Sequence, residues 1–297
     1  MAQQLRGILT ALPTPFAADG SLDEVTLRIL VDRSIGGGVH GVVVNGSTGE
    51  FTAMTSDERR RAVEIVVDQA GGRVPVVAQT GSASTAEAVR LSRHAESVGA
   101  DVVMALTPYY ETLSDQEIKT YFRTVAGSVD LPVMLYNIPG TTGIDLSPDT
   151  VGALAREIEN IQYVKNSSSD MSQSAQLIHH HGDVISTFVG WDTLLLASLI
   201  EGAAGFTAGT ANIVPAELVA VWDAVQGGEI AEARRAWNRV FPVIDAIMQE
   251  PFIAAIKGVL DAVGIPVGVP REPLAPLDPS TASRINGLVS TARLATA

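Results

Sequence analysis

Short runs of strand-forming apolar residues recur along the chain, and most are followed by a segment whose apolar positions repeat with helical spacing. The runs fall at 7–12, 41–44, 74–78, 101–105, 132–136, 162–165, 183–188 and 203–207. They are continuous, not alternating, which is the pattern of parallel strands buried on both faces. Helical periodicity occupies 23–36, 56–70, 85–98, 115–125 and 147–156. Eight strand–helix units at intervals of about 20 to 35 residues predict an α/β fold, a (β/α)8 TIM barrel, with an open doubly wound sheet as the alternative the pattern leaves standing. Four further helical patterns follow at 215–225, 229–248, 251–263 and 279–294, broken by Gly227-Gly228 and a proline-rich stretch at 266–279. The expected organisation is a barrel over 1–225 that holds the active site, with a C-terminal helical extension over 226–297 packed on it.

Composition narrows the class. With 297 residues, 46% hydrophobic and 18% charged, the chain has material for a large core. Its net charge of −13 argues against nucleic acid and anionic membranes, both of which need a basic surface. It has no cysteine, which removes disulfides, thiolate nucleophiles and cysteine metal sites. The apolar stretch 8–16 is interrupted by Pro13 and Pro15 and has no cleavage pattern, so no secretory signal is read there. The nearly apolar run 194–200 is far below the roughly 20 residues that span a bilayer. A cytoplasmic location is expected.

In a TIM barrel, chemistry gathers at the C-terminal ends of the strands. After the second run comes Asn45-Gly46-Ser47-Thr48-Gly49-Glu50, a turn whose glycines admit close approach and whose hydroxyls and N–H groups suit a carboxylate or phosphate; a capped strand-to-helix turn is the plainer reading. The fourth run leads into Thr107-Pro108-Tyr109-Tyr110, and the fifth ends at Tyr136-Asn137-Ile138-Pro139. Rim tyrosines commonly only cover the core with their hydroxyls in water. The sixth run ends at Lys165, one of three lysines in the chain. Burial disfavours an ammonium ion, and a neutral amine can attack a ketone to form a Schiff base that acts as an electron sink. Lys119 and Lys257 fall instead in amphipathic helical patterns, where lysines snorkel or pair with carboxylates. The seventh run gives Gly190-Trp191-Asp192-Thr193 and the eighth Thr207-Ala208-Gly209-Thr210, small and hydroxylated residues that suit a polyhydroxylated substrate or an ordinary loop equally.

Taken in order, Gly46-Ser47-Thr48-Gly49-Glu50, Thr107-Pro108-Tyr109-Tyr110, Tyr136-Asn137-Ile138-Pro139 and Val164-Lys165 resemble the dihydrodipicolinate synthase / N-acetylneuraminate lyase superfamily, class I pyruvate-dependent aldolases. The resemblance runs over nearly the whole chain. It implies that Lys165 forms the imine with a 2-keto acid, that Ser47 and Thr48 bind its carboxylate with Thr48 relaying protons, and that Tyr136 shuttles a proton beside the imine. It further implies that Tyr110 reaches into a neighbouring subunit's site, that the backbone carbonyl of Thr207 lines the pocket, and that the enzyme is a homotetramer built as a dimer of dimers. No cofactor or metal is implied beyond the covalent Schiff base.

Departures from the family pattern bear on the substrate. Dihydrodipicolinate synthases have an arginine two residues past the proline of Tyr-Asn-x-Pro, where this chain has Thr141, so bidentate recognition of a second carboxylate is lost. Neuraminate lyases usually have Gly-Tyr-Asp-Glu where this chain has Gly190-Trp191-Asp192-Thr193. The serines after Lys165 resemble members that act on 2-keto-3-deoxy sugar acids, with Ser167 expected to face substrate hydroxyls; Gly190, Asp192, Thr141 and Thr210 complete the expected substrate-binding set. The first expectation is an aldolase or dehydratase for such an acid. The alternatives are dihydrodipicolinate synthase, condensing pyruvate with aspartate semialdehyde, N-acetylneuraminate lyase, and a non-catalytic barrel. A metal-dependent aldolase would have to use His179-His180-His181, which reads instead as a helix end whose imidazoles suit the C-terminal dipole and solvent.

Overall fold

A computed structural model describes residues 5–294, with side chains through residue 292. Eight parallel strands, β1 (Gly7–Ala11), β2 (Gly41–Val44), β3 (Val76–Gln79), β4 (Val102–Leu106), β5 (Val133–Asn137), β6 (Ile161–Asn166), β7 (Ser186–Val189) and β8 (Gly205–Ala208), follow one another in chain order around a closed barrel. The (β/α)8 expectation therefore holds and the open sheet does not. Through β5 the helices are α1 (Glu24–Gly36), α2 (Ser56–Ala70), α3 (Thr85–Ser97) and α4 (Asp115–Ala126). Then come α5 (Pro139–Thr142), α6 (Pro148–Glu157), α7 (Met171–His181) and α8 (Leu195–Glu201). Four more close the chain: α9 (Pro215–Gln226), α10 (Ile230–Met248), α11 (Phe252–Ala262) and α12 (Pro279–Leu294).

The chain divides into two compact units, one of residues 5–6 and 75–207, the other of residues 7–74 and 208–294. The first contains β3 to β7 and most of β8. In it β5 and β6 run in register, Tyr136 opposite Lys165 and Asn137 opposite Asn166. Partners in a parallel register share a face, and successive residues alternate. The second unit contains β1, β2 and the last four helices; α10 packs on α9, and α12 lies against α10 and α11.

Local chemistry explains the element ends. Thr55 and Glu58 form a capping box at the start of α2, and Ser114 and Glu117 do the same for α4. Asp23, Ser147 and Asp170 cap α1, α6 and α7, while Pro148 and Pro215 supply the N-terminal prolines of α6 and α9. The run at 183–188 becomes a strand only from Ser186, because the amides of Val184 and Ile185 both close on His181 O at 3.0 Å. The histidine run does end a helix, but His181 is buried, not solvated. Its ring fills the space that a side chain on Gly152 would occupy, and Nδ1 lies 3.1 Å from Arg156 Nη1. No described helix is long and apolar enough to cross a membrane.

Glu58 is also gripped by Arg271 from beyond α11, and that guanidinium holds its carboxyl down from 4.5 to about 2. A depressed carboxylate adds stability above its unfolded value, and the gain fades as pH falls toward the folded one. Both side chains are partly solvated, so the contribution is put at about 1–2 kcal/mol, discounted for screening. In Glu58→Gln, whose amide can keep the cap, urea unfolding should show a stability deficit near neutral pH that closes as pH is lowered from about 5 to 2. A deficit that stays constant over that range would show that the charge is not its source.

Candidate active site

The sixth strand's C-terminal end is fixed from its helix side. Asn137 Nδ2 donates to Asn166 Oδ1 at 3.0 Å and to Asp145 Oδ1 at 2.8 Å, and its Oδ1 accepts from Leu146 N at 3.0 Å. Asn166 Nδ2 donates to Ser174 Oγ at 3.0 Å, on α7. Gln173, also on α7, joins Asp145 Oδ1 through Nε2 at 2.9 Å and accepts from Ser168 Oγ at 2.9 Å. These bonds place the asparagine face of both strands against the helices. By alternation Tyr136 and Lys165 face the barrel interior.

There Lys165 is 5% exposed and Tyr136 2%. Lys165 Nζ lies 4.0 Å from the centroid of the Tyr136 ring, within cation–π range. Gly190, just past β7, donates its N–H to Asn166 O at 2.8 Å. A Cβ at that position would stand 2.7 Å from Lys165 Cε and 2.4 Å from Ser167 Oγ. A side chain at position 190 would therefore displace Ser167 Oγ and the Lys165 arm. Ser167 is tied by its N–H to Asn137 O at 2.8 Å, and its buried Oγ has no hydrogen-bond partner. The buried Oγ1 of Thr207 on β8 is likewise unpaired. Buried hydroxyls without partners cost free energy, which a polar ligand would restore.

The other expected residues of this unit differ in burial. Asp192 is 4% exposed, in the 3-10 turn Asp192–Leu194. Thr141 is exposed on α5, its N–H donated to Ile138 O at 3.0 Å. Tyr110 is 93% exposed with φ 85°, a backbone region that non-glycine residues enter at a cost.

In the second unit, the turn after β2 is bracketed by two non-glycine residues in the left-handed region, Asn45 at φ 58° and Glu50 at φ 56°. Asn45 Nδ2 donates to Arg59 O at 2.8 Å, and Thr14 Oγ1 donates to Gly49 O at 2.6 Å. Inside the turn, Gly49 N bonds Gly46 O at 3.0 Å and Glu50 N bonds Ser47 O at 3.1 Å. Thr48 is buried and Ser47 half-buried. A Cβ on Gly209, just past β8, would come within 3.5 Å of Thr48 Oγ1 and 2.5 Å of the Phe252 ring. Thr210 is wholly buried in the 3-10 turn that follows.

A model of the dihydrodipicolinate synthetase family matches residues 4–292. The chain belongs to that family. A 4-hydroxy-tetrahydrodipicolinate synthase from Pelobacter propionicus is 39% identical over 272 residues, 92% of this chain and 93% of its own. A crystal structure of dihydrodipicolinate synthase from Aquifex aeolicus superposes with a TM-score of 0.93 at 31% identity, covering 97% of this chain and 98% of its own. YagE of E. coli K12, a prophage protein of the same family solved in complex with pyruvate, gives 0.93 at 32% identity over 98% of this chain and 100% of its own. Membership in the dihydrodipicolinate synthetase family makes the protein a lyase of the class I aldolase type, which works through an imine on a lysine.

Several residues now seen at the site were not singled out in the sequence. Asn166 and Gln173 lie in a polar stretch and a helix start that could equally have faced water. Lys257 pairs with a carboxylate as expected, but it is 1% exposed. Its neighbours Ile256, Val259 and Leu260 are buried on α11, and that nearly all-round apolar pattern was the available signal.

The Gly190 geometry is directly testable. Gly190→Ala should fold, since its φ lies outside the positive region, yet slow borohydride-trapped adduct formation at Lys165 by 100-fold or more. A wild-type trapping rate would show that the lysine can give way.

Proposed function

We propose that Lys165 forms a Schiff base with the keto group of pyruvate or of a 2-keto-3-deoxy sugar acid or related hydroxy-keto acid. The observation that carries this reading is the buried lysine at the end of β6 with its amine over the Tyr136 ring. The amine adds to the C2 carbonyl, water leaves, and the resulting imine draws electrons from the substrate. In an aldol cleavage the C4 hydroxyl gives up its proton as the C3–C4 bond breaks and an aldehyde departs. The remaining pyruvate enamine takes a proton at C3 with the help of Tyr136, and water hydrolyses the imine to free pyruvate and the amine. In a dehydration the same imine acidifies C3 and the neighbouring hydroxyl leaves. Ser47 and Thr48 are assigned to the keto-acid carboxylate, with Thr48 also in the proton relay that Tyr110 supports.

The pyruvate complex of YagE supports the keto-acid half of the substrate. The other half is inferred from this chain. Thr141 offers no guanidinium to a second carboxylate, whereas the unpaired hydroxyls of Ser167 and Thr207 suit a hydroxylated tail, with Asp192 and Thr210 nearby along the chain. A second reading, condensation of pyruvate with aspartate semialdehyde, is favoured by the names of the relatives, 4-hydroxy-tetrahydrodipicolinate synthases at 35–39% identity. We further propose a cytoplasmic homotetramer, a dimer of dimers in which the projecting Tyr110 enters a neighbour's site, with residues 226–297 serving as the helical extension of a barrel over 1–225. Analytical ultracentrifugation giving a monomer would remove that role for Tyr110.

Borohydride reduction with pyruvate, read by peptide mass spectrometry, should place the adduct on Lys165, and Lys165→Ala should abolish it. Tyr136→Phe should lower kcat by about 100-fold or more while an adduct still forms, since the phenol serves proton transfer, not attack. A panel of 2-keto-3-deoxy sugar acids run beside pyruvate plus aspartate semialdehyde decides the substrate. Efficient turnover of the semialdehyde would overturn the inference from Thr141.

A further inference from the structure

The turn that holds Ser47 and Thr48 ends on a buried charge. Glu50 is 2% exposed, and its carboxylate is held on both oxygens from the C-terminal part of the chain. Oε1 lies 2.5 Å from Lys257 Nζ on α11, both side chains being essentially without solvent contact. Oε2 accepts the backbone N–H of Arg271 at 2.8 Å. Lys257 in turn donates to Val269 O at 3.2 Å and sits 4.4 Å from the Phe16 ring centroid. The Arg271 guanidinium lies 4.0 Å from that same centroid. Phe16 is fixed from below by its N–H to Val267 O at 3.1 Å. The segment 267–271 is therefore threaded between Phe16 and Glu50, and Glu50 is its link to the turn.

The backbone gives Glu50 leverage over the turn. Its φ of 56° is in the left-handed region, which non-glycine residues hold only when the surroundings over-determine them. Its N–H closes the turn on Ser47 O. A change in the carboxylate's anchorage is thus transmitted through one residue's dihedrals to Ser47 and Thr48. We propose that Glu50 and Lys257 are positioning residues for the keto-acid carboxylate subsite: the ion pair holds the Ser47–Thr48 turn in its ligand-binding conformation and makes α11 part of the active-site scaffold. This rests on the assignment of Ser47 and Thr48 to the carboxylate. A carboxylate gripped equally before and during reaction affects binding, not turnover, so loss of the pair should appear in half-saturation and spare the maximal rate.

A buried ion pair can also be merely structural, and removing one partner leaves an uncompensated charge that destabilises in its own right. The test therefore compares Glu50→Gln, Lys257→Met and the double variant, which leaves no unpaired charge. Borohydride trapping at Lys165 is measured against pyruvate concentration on the folded fraction recovered by size exclusion, alongside thermal unfolding. The expected result is a pyruvate half-saturation raised about tenfold in each single variant, with the maximal trapping rate within about threefold of wild type. The double variant should recover thermal stability and keep the raised half-saturation. A double variant that recovers both stability and wild-type half-saturation overturns the proposal and leaves the pair a structural element. Ser47→Ala/Thr48→Val serves as the control: if it leaves half-saturation unchanged while the wild type traps pyruvate, the carboxylate assignment itself fails, independently of Glu50.

Discussion

An amine that is to attack a carbonyl must be held away from bulk water, and a flexible four-carbon arm must be held in one orientation. Lys165, proposed above as that amine, is buried with its surroundings filled. The asparagine pair Asn137–Asn166 locks the ends of β5 and β6 from the helix side, the Tyr136 ring lies under the amine, and the absent side chain of Gly190 is the space into which the arm and Ser167 fit.

The chain buries two lysines, and the contrast shows what sets their roles. Lys257 is buried against a carboxylate and a backbone carbonyl. Burial pulls its ammonium below the usual lysine range, and Glu50 pulls in the other direction. Its ammonium is bound by both groups. Lys165 meets an aromatic face, a neighbouring hydroxyl without a partner, and a glycine. An aromatic ring stabilises an amine or ammonium without occupying it. The two burials differ in kind: Lys257 is paired with a carboxylate, whereas Lys165 is packed against a ring and a glycine.

Most of the barrel was legible from the chain because strand burial on both faces writes continuous apolar runs, and helix packing writes a 3.6-residue period. The strand ends were less sharp. β5 and β6 each extend one residue past the apolar run, to Asn137 and Asn166, since those amides are satisfied by one another and by Asp145 and Gln173 rather than by water. No local pattern marks a polar residue whose partners lie 29 and 36 positions away. His181 was misjudged for the same reason: its burial depends on Gly152 being vacant opposite it, a fact of another helix.

The sequence by itself determined the order of the elements, the lysine at a strand end, the hydroxyl-bearing turn after β2 and the missing arginine at Thr141. These are local properties, and each is written in a few adjacent residues. Only the tertiary structure decided which side of β6 faces the interior, that a side chain at position 190 would press on Lys165 and Ser167, and that Glu50 and Lys257 form one buried pair from opposite ends of the chain. A side chain's environment is made by residues distant in sequence, and burial and charge pairing are energies of that environment, not of the residue alone.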